Sequence, residues 1–135
     1  MRTVTIPIPN HVWGPERKNE VTFLVGQNAK DNHEIIDMAS PTDMWMHVRR
    51  YSSCHVVAMV PTEVLEIDDK RKRRDILRSI TKQGSVLCKR FSKHKSEKNV
   101  EIMATQIKNV EKTSVAGEGD DAGRLLCNGD LRWRD

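Results

Sequence analysis

Residues 41–57, PTDMWMHVRRYSSCHVV, gather Asp43, Trp45, His47, Cys54 and His55 into two short, mostly apolar runs. Aspartate and histidine move protons or hold metals, Ser53 or Cys54 beside a base is the start of a nucleophile, and tryptophan can stack a base. Spacing restricts each of these chemistries. The two histidines and Asp43 match no HExxH, HxH or Cys/His set, and the three or four ligands of a metal centre would need distant help. Side chains alternate along a strand, so Cys54 and His55 point to opposite faces and do not pair as nucleophile and base. The same alternation puts Trp45, His47 and Arg49 on one face and Met44, Met46 and Val48 on the other. The methionine face is expected to be core. Three uses stay open for the Trp45 face: stacking a base, bonding a phosphate, or packing under a helix with its imidazoles bonded to backbone or to Asp43.

A second chemistry lies in the charge. The net charge of +4 conceals an asymmetry: residues 70–98 hold twelve Lys or Arg against Asp75 and Glu97, a local +10, and the remainder of the chain sums to −6. On a continuous helix Arg71, Arg78, Lys82, Lys89 and Lys93 fall within about 60° of one another, opposite the apolar side chains. A solvated helix face usually intersperses acids to form i,i+4 pairs, but between 70 and 96 only Asp75 is acidic. Like charges stacked this way repel, which suits an anionic partner such as a nucleic acid; an acidic protein or lipid headgroups would offer the same sign of charge.

These groups need elements to position them. TVTIPI (3–8) alternates but carries Pro7, so it reads as an edge strand at best. NHVWGPERKNE is rich in breakers and reads as loop, and VTFLVG (21–26) as a buried strand. Asn28 can cap a helix of about three turns that Pro41 stops, because Ser40 is pushed out of the α region. MWMHVRR and CHVVAMV read as strands joined by YSS, without a glycine at the turn. The segment from about Asp68 to Lys95 is the clearest helix. Its apolar set, Ile76, Leu77, Ile80, Leu87, Cys88 and Phe91, spans an arc of about 120°. Gly84 lies inside that arc, where it can admit a close approach to a sheet or break the helix. NVEIMATQI (99–107) reads as a strand, GEGDDAG as loop, and RLLC and LRWR as a hairpin around Asn128-Gly129. The sum is an α+β (mixed α/β) domain, residues 1–135, with a mostly antiparallel sheet packed by one long basic helix and one short helix.

Bulk properties narrow the classes. A chain of 135 residues supports one core, and its apolar residues, 37% of the whole, come in periodic blocks unlike those of a disordered chain. No run of about 18 apolar residues could span a membrane, and the amino terminus has no apolar signal core. Three cysteines, Cys54, Cys88 and Cys127, stand far apart without a CxxC pair. Neither a zinc ribbon nor a disulfide scaffold is indicated, and a reducing, cytoplasmic setting is expected.

VGQNAKDNHEIIDMASPTDMWMHVRRYSSCHVV resembles the NFACT-R domain family. The family's pattern is a strand ending Gly-x-Asn, a second Asn, Asp-x-Trp-x-His-Val and, after a short turn, Ser-x-His-Val. Here these are Gly26, Asn28, Asn32, Asp43, Trp45, His47, Val48, Ser53, His55 and Val56. Lys89, Ser92, Asn99, Val100, Thr105, Asn109, Lys112, Thr113 and Gly123 are similar to its later motif, so the likeness covers about residues 21–130. The spacing of helix, Pro41 and Asp43 looks most like the stand-alone eukaryotic branch. Departures are Cys54 where Ser or Ala is usual, Gln106-Ile107 in place of Pro-Trp, and the absence of that branch's coiled coil.

The resemblance implies a non-enzymatic RNA-binding module with tRNA, rRNA or the ribosome itself as partner, in ribosome-associated quality control. It assigns no catalytic residue, cofactor or metal. The expected RNA contacts are Arg71, Arg78, Lys82, Lys89 and Lys93 on the helix, with Asn28, Lys30, Trp45, His47, Arg49, His55 and Lys112. Two alternatives stay open: an RNA-processing enzyme component working through Asp43, His47 and His55, and a basic protein adaptor or DNA binder.

Overall fold

The computed structural model describes residues 1–7, 20–48, 54–93, 95–98, 100–112, 125–127 and 131–134. Its elements are β1 (Arg2–Pro7), β2 (Glu20–Gly26), α1 (Ala29–Met38), β3 (Met44–Val48), β4 (His55–Met59), a single turn of helix α2 (Thr62–Leu65), α3 (Lys70–Arg90), β5 (Glu101–Gln106), β6 (Val110–Lys112), β7 (Leu125–Cys127) and β8 (Leu131–Arg134). Six strands form one sheet in the order β1-β2-β4-β3-β5-β8, every neighbouring pair antiparallel. The α+β class with a mostly antiparallel sheet is therefore observed. As its proline requires, β1 is an edge strand.

The pairing Trp45↔Val57 and His47↔His55 sets which side chains share a face. Met44, Met46 and Val48 on β3, Val56 and Ala58 on β4, Phe23 and Val25 on β2, and Ile102 and Ala104 on β5 form the larger core with Ile76, Ile80, Leu87 and Cys88 of α3. Leu24, Trp45 and Val57 lie on the reverse of the sheet with Ile35 of α1, flanked by Ile36, Ala39 and Met103. The two helices thus cover opposite faces.

Helix α3 runs unbroken through Gly84. Its start is fixed by Asp69, whose carboxylate accepts from the N–H groups of Arg71 (3.0 Å) and Lys72 (3.2 Å). A side chain at Gly84 would collide with the methyl end of Met46 and lie 3.3 Å from the Phe23 ring, so glycine here lets the helix settle low on the sheet. Thr81 and Ser85 are buried on this helix, yet each hydroxyl donates to a carbonyl one turn back, Leu77 O at 2.8 Å and Thr81 O at 2.9 Å. The helix ends at Phe91, over whose ring the Arg2 guanidinium of β1 sits at 4.8 Å.

Two sequence expectations are corrected, and one element was not expected. The long helix stops at Arg90, so Lys93 lies in the turn beyond it. RLLC and LRWR do not pair with each other: β7 joins β6 in a separate two-stranded sheet and β8 joins β5 in the main one. The Asn128-Gly129 turn itself lies outside the described residues. Helix α2 carries no signal from periodicity, being too short to show one.

Replacing Gly84 by Val inserts a branched side chain between helix and sheet. Urea titration should show a loss of roughly 1–3 kcal/mol with an unchanged m-value.

Candidate nucleic-acid interface

The outer face of α3 is a line of cations. Arg71, Arg78 and Lys82 are exposed and Lys89 half-buried, and all four fall on one side of the helix opposite Ile76 and Ile80. From 71 to 89 the line is about 27 Å long. Among the described residues Arg71, Arg78 and Lys82 have no acidic partner, although Asp75 lies on the same surface. Lys72, Arg74 and Arg90 are exposed beside the line, but Arg73 is withdrawn from it, its guanidinium donating to the carbonyl of Ile67 at 2.7 Å. Five consecutive cations, 70–74, therefore crowd the positive end of the helix macrodipole, offset only by the Asp69 cap.

Several of the other expected contacts lie on the reverse of the sheet. Lys30 is exposed at the start of α1. Asn28 is exposed too, but its side-chain oxygen accepts from Asp31 N at 2.8 Å and caps α1. Trp45 is 1% exposed and stacks parallel to His47, centroids 5.7 Å apart. His55, 3% exposed, meets both rings edge-on, at 5.5 Å from Trp45 and 4.6 Å from His47. The Trp45 ring is thus buried, with His47 stacked on it, and is not an open platform for a base. Arg49 lies outside the described residues, and Lys112 belongs to β6. The α3 cations and the Trp45 face are separated by the sheet, so one strand of nucleic acid cannot touch both without passing around its edge.

Asp43 does not join the histidines. Its carboxylate accepts from Ser40 N at 2.8 Å and Val60 N at 2.9 Å, and its carbonyl accepts from Ile107 N at 2.8 Å. It ties the turn after α1 to the ends of β4 and β5, four residues along the strand from His47, or about 13 Å. The Asp43–His47–His55 constellation of an acid/base or metal centre is not assembled, and among the described residues no three His, Cys, Asp or Glu side chains gather as metal ligands. Nor is any described helix long and apolar enough to cross a membrane.

Sequence reasoning missed Asn32 and His33 as members of this cluster. Asn32 Oδ1 accepts from His55 N at 3.3 Å and presses on Gly26, where a Cβ would also come within 3.0 Å of the Asn32 nitrogen. His33 sits near enough to His55 to oppose its protonation. The buried His33 Nε2, His55 Nδ1 and Trp45 Nε1 have no hydrogen-bond partner among the described residues. The spacing of Asn32 and His33 from Asn28, on the inner side of a capped helix, was the available signal. Another motif residue, Thr105, accepts from Asn109 Nδ2 at 3.0 Å.

Burial depresses both sheet histidines. It pulls His47 down to about 4 and His55 to about 2, the latter helped by the neighbouring His47 and His33. Both are neutral in the folded protein near pH 7, whereas an unfolded histidine protonates near 6.5. The unfolded state then binds more protons as pH falls below 6.5, so stability is full above that value and lost toward pH 4. Urea titrations at pH 7 and pH 5 should differ by roughly 3 kcal/mol from this pair, and His47→Gln/His55→Gln should flatten the difference. Asp43→Asn presents an amide donor to one of two backbone donors and should lower stability by about 1–3 kcal/mol, measured the same way at pH 7.

Comparison with solved structures gives the C-terminal part of the fibronectin/fibrinogen-binding protein from Streptococcus suis (FBPS), with a TM-score of 0.64 and 23% identity. The match covers 84% of this chain and 40% of that one, so the present chain spans well under half of that structure, and the likeness is one of fold. Comparison with curated proteins gives no match. The sequence matches the family model NFACT-R_1, described as the NFACT protein RNA binding domain, over residues 11–129. With an α+β sheet, the Asp43-x-Trp45-x-His47 strand at its centre and a family match over most of its length, this chain belongs to the NFACT protein RNA-binding domain family.

Proposed function

We propose that this chain holds the phosphate backbone of RNA along the outer face of α3. We propose further that the RNA is tRNA or rRNA, engaged in the cytoplasm during ribosome-associated quality control. The observation that carries the first part is the unbroken helix displaying Arg71, Arg78 and Lys82 to solvent on one line, without acidic partners among the described residues. A line about 27 Å long faces several successive phosphates. The cations at 70–74 add a second reason. The exposed ones, Lys70, Arg71, Lys72 and Arg74, are each unfavourable by a few tenths of a kcal/mol against the helix dipole and their like-charged neighbours, and phosphate binding relieves that repulsion.

Membership of an RNA-binding family supports the class of ligand. The Trp45, His47 and His55 rings act in this reading as scaffold, with Lys30, exposed at the start of α1, available for a second contact.

Fluorescence anisotropy with a labelled tRNA and with an unrelated structured RNA, each over a range of salt, tests the proposal. Replacing Arg71, Arg78 and Lys82 together by Glu should weaken both complexes at least a hundredfold and reduce the slope of log K against log salt by about two to three. Unchanged affinity and slope would remove the helix from the interface. Co-sedimentation of the chain with isolated large ribosomal subunits, lost in the triple variant, tests the ribosomal part separately.

A further inference from the structure

Cys54 and Cys88 are 34 residues apart in sequence and face each other across the layer between β4 and α3. Cys54 immediately precedes β4, and Cys88 lies in the last turn of α3. The Cys54 thiol donates to the carbonyl of Cys88 at 3.3 Å, and the Cys88 thiol donates to the carbonyl of Cys54 at 3.6 Å. Reciprocal contacts of this kind put each sulfur beside the other residue's main chain, which brings the two side chains together across the layer. That is the disposition from which a disulfide closes without moving either element far. The side-chain hydrogen bond with Cys88 also holds the Cys54 thiol below its ordinary range, against the opposing effect of burial.

We propose that Cys54 and Cys88 form a redox-modification site, closing into an intramolecular disulfide when the protein meets hydrogen peroxide. Cys54, at 5% exposed against 0% for Cys88, is the first to react. Its thiolate attacks one peroxide oxygen, the O–O bond breaks, and the departing hydroxide takes a proton to become water. Cys88 sulfur then attacks the sulfur of the Cys54 sulfenic acid. The S–O bond breaks, and that hydroxide leaves as a second water with the Cys88 proton. Two thiols lose two electrons, and one peroxide is reduced to two waters. The bond would pin the last turn of the basic helix to the sheet and close a long loop of chain, restricting the unfolded state.

The test uses the reduced full chain, treated with hydrogen peroxide, blocked with iodoacetamide and mapped by mass spectrometry. The expected result is the loss of two hydrogens, a cross-linked peptide joining Cys54 to Cys88, and Cys127 alkylated. A rise in Tm of roughly 10 °C, reversed by dithiothreitol, should accompany it. Cys54→Ser or Cys88→Ser should abolish both the cross-link and the rise. The mapping is decisive on the unmutated protein, whatever the variants do. Sulfinic acid on either cysteine, a bond from either to Cys127 or to a second chain, or an intact pair in a sample whose Cys127 is oxidised would overturn the proposal.

Discussion

The approach of α3 to the sheet at Gly84 governs the rest of the structure. With no side chain there, the Met46 methyl and the Phe23 ring occupy the space a Cβ would need, and the helix sits low enough for Ile76, Ile80, Leu87 and Cys88 to reach the strands. Burial on that side fixes the rotation of the helix about its axis. Once the rotation is fixed, Arg71, Arg78 and Lys82 have nowhere to point but solvent, because a buried unpaired guanidinium or ammonium costs far more than any local propensity could return. A helix carrying so much like charge is a poor helix in isolation. It is the packing of its apolar side that keeps it formed.

The reverse face works by a different economy, one of backbone groups. Asp43 satisfies the N–H groups of Ser40 and Val60, and Asn32 that of His55. Asn28 caps α1 and Asn109 bonds Thr105. The polar residues that carry the family likeness are thus largely occupied in joining the ends of strands and helices, where backbone donors would otherwise be left unpaired. The neutral, ring-on-ring packing of Trp45, His47 and His55 follows from the same burial that keeps the imidazoles uncharged.

Much of this was legible in the sequence. Pro7 made β1 an edge strand, Asn28 and Pro41 bracketed α1, and the alternation through Met44 and Met46 identified the core face of β3. These are local consequences of fixed φ, of an orphan N–H, and of a two-residue repeat. Membership of the NFACT-R family was equally legible, from the spacing of Gly26, Asn28, Asp43, Trp45 and His47. The pairing expected between RLLC and LRWR is replaced by pairing of β7 with β6 and of β8 with β5, partners distant in sequence that no local pattern announces. Likewise a bond from the imidazoles to Asp43 was one of the uses left open, but its carboxylate is taken by the N–H groups of Ser40 and Val60.

What the sequence determined by itself was the local grammar: which segments form strands or helices, which side of α3 is apolar, and that its other side is cationic. Periodicity and capping are properties of neighbours in the chain, so they can be read without coordinates. Tertiary structure alone decided three things: that the cations and the Trp45 face lie on opposite sides of one sheet, that Asp43 serves the backbone, and that Cys54 and Cys88 stand side by side. Each depends on strand order and register, which arise from contacts between residues tens of positions apart and leave no mark in any short stretch of the chain.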